Sequence, residues 1–296
     1  MIGSQVDSFL ACFSAGRGKS TTGGVIPTCR METPVGFVRV YDSRSAGPCV
    51  VLVPDGPNVI EHYEALIGLL APSVRVVCFD MPGFGHSLPS SSYMHSLDQG
   101  ATAVLGVLDG LGIRKATLAF SCANGFYALR AAQLAPQRVT SLLLSQTPSL
   151  TAMRAWTSRV VPWPLRVPVA GQIAAWLFRK KAAHGWYGIA LPRTTSPVPF
   201  QKKALDALSG GACFCLAGVV QGLAREESDS LSGVTTPCTM IWGARDHSHR
   251  YTDPLSLHQL IPTAEIIHFG ECGHFPDLEQ PERFAALLME QVGRFA

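Results

Sequence analysis

A cysteine stands between a predicted strand and a predicted helix, at a position that favours a reactive thiol. Residues 115–120 are mostly apolar and residues 124–134 suit a helix, so Cys122 is expected at the carboxyl end of a strand. The partial positive charge of the following helix N-terminus favours a negative charge there. It can lower a thiol pKa from about 8.5 towards neutrality, and the thiolate is the reactive form. Cys122 is therefore a candidate nucleophile.

Two further residues have the chemistry that such a nucleophile needs. Asp246 follows a short apolar run, and His274 lies in a loop ahead of the C-terminal helix. A histidine can take the thiol proton, and a carboxylate can fix the tautomer of the imidazole. The sequence thus predicts that Cys122, Asp246 and His274 form a triad in which the cysteine attacks a carbonyl. The nearby His247 and His249 are interpreted as exposed loop residues.

Two longer motifs accompany this order of nucleophile, acid and histidine. They are Asp-Met-Pro-Gly-Phe-Gly-His-Ser at residues 80–87 and Gly-His-Phe-Pro-Asp-Leu-Glu-Gln-Pro-Glu at residues 273–282. These motifs and the order of the three residues make the chain resemble the α/β-hydrolase superfamily over about residues 33–296. The triads of that superfamily run in the same chain order. The resemblance implies a doubly wound, mainly parallel sheet with a helical cap over the active site.

The identity of the nucleophile depends on the register of the turn. The family has small residues two positions before and after its nucleophile. Cys122 places Phe120 and Asn124 there, whereas Ser121 places two alanines there, which is a better steric fit. The flanking segments keep the family's spacing only for Cys122, and a helix shifted by one residue would rotate by about 100°. Cys122 is favoured, and Ser121 is the alternative nucleophile.

The resemblance also implies an oxyanion hole made of two backbone N–H groups. One belongs to Ala123, and the other is expected in the segment Pro-Asp-Gly-Pro-Asn at residues 54–58. Pro57 occupies the donor position and has no N–H, and losing such a donor typically costs about 2.7 to 4 kcal/mol. The side chain of Asn58 or Asn124 can substitute for it. The candidate oxyanion residues are Gly56, Asn58 and Ala123.

Two classes of function remain open. The first is a Cys-His-Asp acyl hydrolase or acyltransferase that acts on an ester, thioester or lactone carbonyl of a fairly apolar small molecule. The second is non-hydrolytic, either a lyase- or cyclase-type enzyme or a small-molecule-binding protein. The missing donor favours the second class. So does Asp55, which replaces a family histidine and puts a negative charge where an oxyanion would develop.

Alternating apolar and helical segments have to position these residues. Predicted strands cover residues 35–41, 49–54, 74–79, 115–120, 139–145, 238–242 and 264–269, and predicted helices include 97–111, 124–134 and 281–295. Strands that alternate with helices predict an α/β fold with a mainly parallel sheet.

The domain organisation follows from composition along the chain. Residues 1–31 are predicted to be a loose arm, residues 32–150 and 237–296 the α/β core, and residues 151–236 a helical cap that contains four of the five tryptophans. Clustered aromatic side chains can line an apolar pocket. The predicted pocket residues are Asp55, Phe120, Trp156, Trp176 and Trp186.

Composition excludes several other functions. The chain has 296 residues, 47% of them hydrophobic, and a net charge of only +3, which fits one catalytic domain without a nucleic-acid partner. It contains no run of about 18 apolar residues for a membrane span. The nine cysteines include no CxxC pair and no zinc-ligand spacing. We therefore expect a cytoplasmic protein with a small-molecule substrate, without a metal or a cofactor.

Overall fold

Short apolar runs form the strands of one large sheet. The structure is a computed structural model and describes residues 2–17 and 26–295. In chain order the strands are β1 (Cys29–Thr33), β2 (Gly36–Asp42), β3 (Cys49–Val53), β4 (Arg75–Phe79), β5 (Phe84–Gly85), β6 (Leu88–Pro89), β7 (Ala116–Ser121), β8 (Val139–Ser145), β9 (Cys213–Phe214), β10 (Cys238–Gly243) and β11 (Glu265–Phe269). Strands β3 and β7 are buried along their whole length, as expected for strands covered on both faces.

Helices separate most of these strands. They are α1 (Ile2–Arg17), α2 (Glu64–Leu70), α3 (Leu97–Gly110), α4 (Ala123–Leu134), α5 (Leu150–Val160), α6 (Ala170–Ala190), α7 (Val198–Ser209), α8 (Leu216–Arg225), α9 (Pro276–Glu279) and α10 (Pro281–Phe295). None of the helices in the described part of the chain is both long enough and apolar enough to cross a membrane.

The sheet is parallel over most of its width. Its strand order is β1-β2-β4-β3-β7-β8-β10-β11, with β6 also paired to β2. Along this order, the five pairings β4-β3, β3-β7, β7-β8, β8-β10 and β10-β11 are parallel. Strand β2 is antiparallel to β1, β4 and β6. The predicted doubly wound, mainly parallel fold is confirmed. Each of the seven predicted strands starts within one residue of its predicted position.

The core lies in two layers, one on each face of the sheet. Because side chains alternate along a strand, Leu118 and Phe120 pack on one face with α3 and α4, while Ala119 packs on the other with α2 and α10. The Phe120 ring makes an edge contact with Phe79 at a centroid distance of 6.3 Å. Because β3, β7, β8 and β10 are neighbours in this order and run parallel, their carboxyl ends lie along one edge of the sheet.

The N-terminal segment differs from the prediction. Residues 2–17 form helix α1 instead of part of a loose arm, and β1 covers residues 29–33. The buried face of α1 consists of Ser4, Asp7, Ala11 and Ser14. These residues recur at helical spacing but are small or polar, so no apolar period marks the helix. Residues 18–25 of the predicted arm lie outside the described residues.

Residues 150–225, here called the helical insertion, separate β8 from β10. They contain α5, α6, α7 and α8, together with the short strand β9. Strand β9 pairs with β5 of the core, an element that sequence periodicity misses because each strand has only two residues. The insertion contacts α1 as well: Trp176 Nε1 donates a hydrogen bond to Ser14 Oγ at 2.9 Å.

Candidate active site

Cys122 lies in a sharp turn between β7 and α4. Its φ of +53° and ψ of −125° are unusual for a residue with a side chain. Hydrogen bonds fix the turn: Cys122 N donates to Ser145 O at 2.7 Å, and Thr147 Oγ1 donates to Cys122 O at 3.1 Å. Gly125 allows α4 to approach, since a Cβ there would lie 2.2 Å from Thr147 Oγ1. The turn presents the thiol next to the helix N-terminus.

A second close approach brings the end of β10 to the histidine loop. A Cβ at Gly243 would lie 1.7 Å from the carbonyl oxygen of Gly273, so only glycine fits there. The histidine loop is also tied to the helical insertion, because His274 N donates to Ala190 O at 2.8 Å. These contacts place Asp246 and His274 beside each other although 28 residues separate them.

Asp246 and His274 form a buried, hydrogen-bonded pair. His274 Nδ1 lies 2.6 Å from Asp246 Oδ2, which also accepts from Gln146 Nε2 at 2.7 Å. Asp246 Oδ1 accepts from both the backbone N and the Oγ of Ser248. Both oxygens of this carboxylate therefore accept hydrogen bonds, which holds the carboxylate in one orientation.

The thiol lies beside the imidazole of that pair. The sulfur of Cys122, a ring nitrogen of His274 and a ring nitrogen of His249 are all within 4.8 Å of one another. The structure thus brings together the three residues predicted as a triad. A thiol, an imidazole and a carboxylate in this order can form a thiolate–imidazolium pair or transfer a proton from sulfur to nitrogen.

The alternative nucleophile faces elsewhere. Ser121 is the last residue of β7 and is buried, and its Oγ donates to Asp277 Oδ2 at 3.1 Å. The same carboxylate oxygen accepts from Tyr63 OH at 2.5 Å. Ser121 is not among the residues that line the cavity beside Cys122. It belongs to a buried polar contact on the other side of the strand.

Asp55 contacts the second nitrogen of the same imidazole. Asp55 Oδ2 lies 3.3 Å from His274 Nε2, so the ring stands between two carboxyl groups. Burial raises the pKa of Asp55, whereas the hydrogen bond and charge of His274 lower it, with a net rise. Asp55 lies at the inner end of the cavity with Cys122, as predicted, whereas its contact with His274 has no signal in the sequence.

Burial and neighbouring charges set the proton affinities of the triad. Burial alone would raise the pKa of Asp246, but the charge and hydrogen bond of His274 lower it to about 2. Burial lowers the pKa of His274, yet the charges of Asp246 and Cys122 raise it well above its usual range. Burial, followed by the charge of Asp55, raises the pKa of the Cys122 thiol, which His274 opposes. The thiol pKa is therefore raised, and not lowered towards neutrality as the sequence predicted, because burial and the charge of Asp55 outweigh the opposing effect of His274.

The residues predicted for the oxyanion hole are only partly assembled. The backbone N–H of Ala123 interacts with the Cys122 sulfur, and both Ala123 and Gly56 line the cavity. Asn124 donates its side-chain amide to Pro54 O at 3.0 Å. Asn58 does not line the cavity; its Oδ1 accepts from Tyr187 OH at 2.7 Å. Neither asparagine amide therefore takes the place of the missing N–H in this arrangement.

A cavity of about 590 Å³ opens from the thiol into the helical insertion. Its inner end contains Asp55, Gly56, Cys122, Ala123 and Asn124, and its walls are mostly apolar side chains of the insertion. Trp156 and Trp186 line it as predicted, with ring centroids 6.0 Å apart. Trp186 also makes an edge contact with the His274 ring.

Two residues predicted for the pocket lie elsewhere. Phe120 is fully buried in the core, where it packs on Phe79 in the layer between the sheet and helices α3 and α4. Trp176 lies on the face of α6 that packs against α1, where it contacts Phe13 and Ser14. Neither side chain lines the cavity.

His249 is a further candidate site residue, which the sequence did not predict. It is buried instead of exposed, and its ring stacks on Trp156 at 4.8 Å and on His274 at 5.4 Å. Its Nδ1 is 3.1 Å from Thr252 Oγ1, while its Nε2 is buried without a partner among the described residues. The only sequence feature that could have identified His249 as a site residue is its position three residues after Asp246. Together with Cys122 and His274 it offers donor atoms of the kind that bind metals.

The comparisons agree with this fold. A family model described as "Alpha/beta hydrolase family" matches residues 50–287, so the chain belongs to the alpha/beta hydrolase family. Zearalenone hydrolase from Bionectria ochroleuca is 33% identical over 124 residues, which cover 40% of this chain and 47% of that protein. The match therefore spans less than half the length of that relative.

Two further relatives match over most of their length. The 2-hydroxymuconate semialdehyde hydrolase of Pseudomonas sp. strain CF600 is 25% identical over 269 residues, covering 84% of this chain and 88% of that protein. Among solved structures, epoxide hydrolase A from Mycobacterium thermoresistibile superposes with a TM-score of 0.76 at 16% identity, covering 90% of this chain and 98% of that one. The structural likeness concerns the fold.

Proposed function

We propose that this protein is an acyl hydrolase or acyltransferase that uses Cys122 as nucleophile, His274 as general acid and base, and Asp246 as the residue that orients the histidine. The observation that carries the proposal is the turn at Cys122, which places a thiol at a positive φ beside the Asp246–His274 pair and at the end of an apolar cavity. The names of the two hydrolase relatives support a hydrolytic reaction.

The proposed reaction has two steps. The Cys122 thiolate attacks a carbonyl carbon, the bond to the leaving oxygen or sulfur breaks, and His274 gives the leaving group its proton. Water, or another acceptor, then loses a proton to His274 as it attacks the thioester, which releases the acyl group and restores the thiol. Asp246 keeps the Nδ1 proton in place throughout, so the proton is exchanged at Nε2, the nitrogen that also contacts Asp55.

Asp55 has a specific role in this proposal. Burial raises its pKa, and in its neutral form a carboxyl group donates a hydrogen bond. It lies at the inner end of the cavity, next to the position where Pro57 offers no N–H. We place neutral Asp55 as the second oxyanion donor beside the Ala123 N–H. One such donor typically contributes about 10²- to 10³-fold to kcat.

The cavity supports a fairly apolar ester, thioester or lactone as the substrate class. Its walls offer few polar groups, but the indole N–H groups of Trp156 and Trp186 are buried without a partner among the described residues. Both rings line the cavity. Because a buried donor without an acceptor is unfavourable, we expect these indoles to hydrogen-bond an oxygen of the substrate.

A second candidate function rests on the contact between Asp55 and His274. If Asp55 is ionised, the imidazole between two carboxylates is a strong acid–base group, and a negative charge lies where an oxyanion would form. That arrangement favours a non-hydrolytic proton transfer of the lyase or cyclase type, or ligand binding alone. In this case Cys122 forms no covalent bond.

Mass spectrometry of the intact protein tests the first proposal. After brief incubation with p-nitrophenyl esters, we expect one acyl group per chain on wild type and on Ser121→Ala, and none on Cys122→Ala. Peptide mapping should place the acyl group on Cys122. A folded wild-type protein that gains no adduct, or an adduct that persists in Cys122→Ala, contradicts the assignment.

A pair of Asp55 variants separates the two candidate functions. An asparagine amide can still donate to an oxyanion, so Asp55→Asn should keep ester turnover within about tenfold, while Asp55→Ala should lose about 10²- to 10³-fold. If Asp55 is instead a proton acceptor, both variants lose activity equally. Unfolding curves of both variants show whether the loss is due to folding.

A further inference from the structure

A second group of chemically active side chains lies outside the cavity beside Cys122. Asp7 of α1, His95 of the loop before α3 and Cys215, the residue before α8, each offer one donor atom, and these atoms lie within 4.8 Å of one another. All three side chains are buried. They come from segments separated by 88 and 120 residues, so no spacing rule identifies them from the sequence.

One ring nitrogen of the histidine in this group has no hydrogen-bond partner in the described part of the chain. His95 is 1% exposed, and its Nε2 is buried without a hydrogen bond to any described residue. A Cβ at Gly218 would lie 2.6 Å from this Nε2 and 2.6 Å from Asp7 Oδ2. Both atoms therefore face the same small space, which the glycine leaves open. A buried nitrogen without a partner is unfavourable unless something binds it.

The group also borders a separate cavity. This cavity of about 380 Å³ is lined by Asp7, Tyr93, His95, Gln172 and Gln221, among others, and shares no residue with the cavity beside Cys122. Gln172 Nε2 lies 3.4 Å from Asp7 Oδ2 and 2.9 Å from Gln221 Oε1. The cavity gives a water molecule room to reach a fourth ligand position.

We propose that Asp7, His95 and Cys215 form a zinc site. One thiolate, one imidazole and one carboxylate are donors that Zn²⁺ accepts in tetrahedral sites, at about 2.0 to 2.3 Å from the metal. The two negative charges of the thiolate and the carboxylate neutralise the ion, which suits a buried position. The mixed sulfur, nitrogen and oxygen set excludes Mg²⁺ and Ca²⁺, which prefer oxygen alone. The proposal departs from the expectation of a protein without a metal.

The site has a structural role. Asp7 is on α1, His95 precedes α3 and Cys215 precedes α8, so one ion joins the N-terminal helix, the core and the helical insertion. Because a ligand that binds only the folded state stabilises it, zinc should raise the unfolding temperature. The role is independent of the reaction proposed for Cys122.

Titration of the chelator-treated full chain with Co²⁺ and Zn²⁺ tests the site. Co²⁺ bound by a thiolate in tetrahedral geometry gives a sulfur-to-metal charge-transfer band. We expect one Co²⁺ per chain, displaced by Zn²⁺, in wild type and in the matched control Cys213→Ser. The band should disappear in Cys215→Ser, and Co²⁺ affinity should fall at least tenfold in His95→Gln and in Asp7→Asn.

A second control separates this site from the triad. Cys122→Ser should retain the band in full, because the sulfur comes from Cys215. Loss of the band in Cys122→Ser with retention in Cys215→Ser would assign the metal to the other cluster and overturn the proposal. Absence of Co²⁺ binding by folded wild type overturns it as well. His95→Gln keeps every cysteine, so its unfolding curve with and without Zn²⁺ provides a test that does not depend on a cysteine variant folding.

Discussion

Asp246→Asn should lower kcat/KM for ester turnover by about 10⁴-fold. The carboxylate lies 2.6 Å from His274 Nδ1, and both groups are buried. At an effective dielectric constant of about 20, two unit charges at this distance interact by about 6 kcal/mol. Since each 1.36 kcal/mol changes a rate about tenfold, loss of most of this interaction in the transition state corresponds to roughly four orders of magnitude.

The hydrogen bonds around Asp246 explain why asparagine cannot replace it. Oδ2 accepts from His274 and Gln146, and Oδ1 accepts twice from Ser248. An amide nitrogen at either position would face donors. The asparagine therefore either loses its contact with His274 or donates its amide N–H to Nδ1, which puts the imidazole proton on Nε2. That tautomer cannot take the proton of Cys122.

The assay compares Asp246→Asn with Asp277→Asn. Asp277 is another fully buried carboxyl group of the C-terminal segment, but it contacts Tyr63 and Ser121 instead of His274. We expect ester turnover of Asp277→Asn to stay within tenfold of wild type. Turnover of a folded Asp246→Asn protein within tenfold of wild type would refute the reasoning, and so would an equal loss in both variants.

Three further predictions follow from the same contacts. Ser121→Ala should leave ester turnover unchanged but lower the free energy of unfolding by about 1 kcal/mol, measured in urea, because it removes the hydrogen bond to Asp277; a large loss of turnover contradicts this. Trp186→Phe should raise KM more than it lowers kcat, because it removes the N–H proposed to bind a substrate oxygen while keeping an aromatic ring beside the cavity; an unchanged KM argues against that hydrogen bond. Burial lowers the pKa of His62, which contacts Phe200 O, to about 4. As the pH drops, the unfolded state therefore binds a proton at His62 before the folded state does. The free energy of unfolding should fall by up to about 3 kcal/mol between pH 6.5 and pH 4. His62→Gln should flatten this pH dependence of the unfolding free energy, and an equally steep dependence in the variant would be the contrary result.

Periodicity predicts most of the sheet and little of the N-terminal helix. The runs at residues 115–120 and 238–242 are short and mostly apolar, which favours strands covered on both faces, and both form such strands. Helix α1 buries serines, an alanine and an aspartate, and these residues give no hydrophobic signal. Its position is decided by contacts with Trp176 and Gln172, which lie about 160 residues further along the chain.

The sequence shows the order of the candidate site residues along the chain, but it does not show which of them are in contact. Residue types and local turns identify Cys122, Asp246 and His274 and show that Pro57 has no N–H to donate. The different surroundings of Cys122 and Ser121 are visible only in the tertiary structure, where Cys122 lies beside His274 and Ser121 donates to Asp277.

Only the tertiary structure decided which distant groups meet. Asp55 reaches His274 across 219 residues, and His249 is buried because Trp156 of the helical insertion covers it. The group of Asp7, His95 and Cys215 has no motif at all, since three elements from different parts of the chain form it. Sequence patterns record local spacing, but proton affinity, burial and metal coordination depend on distances in space that the packing of the whole chain sets.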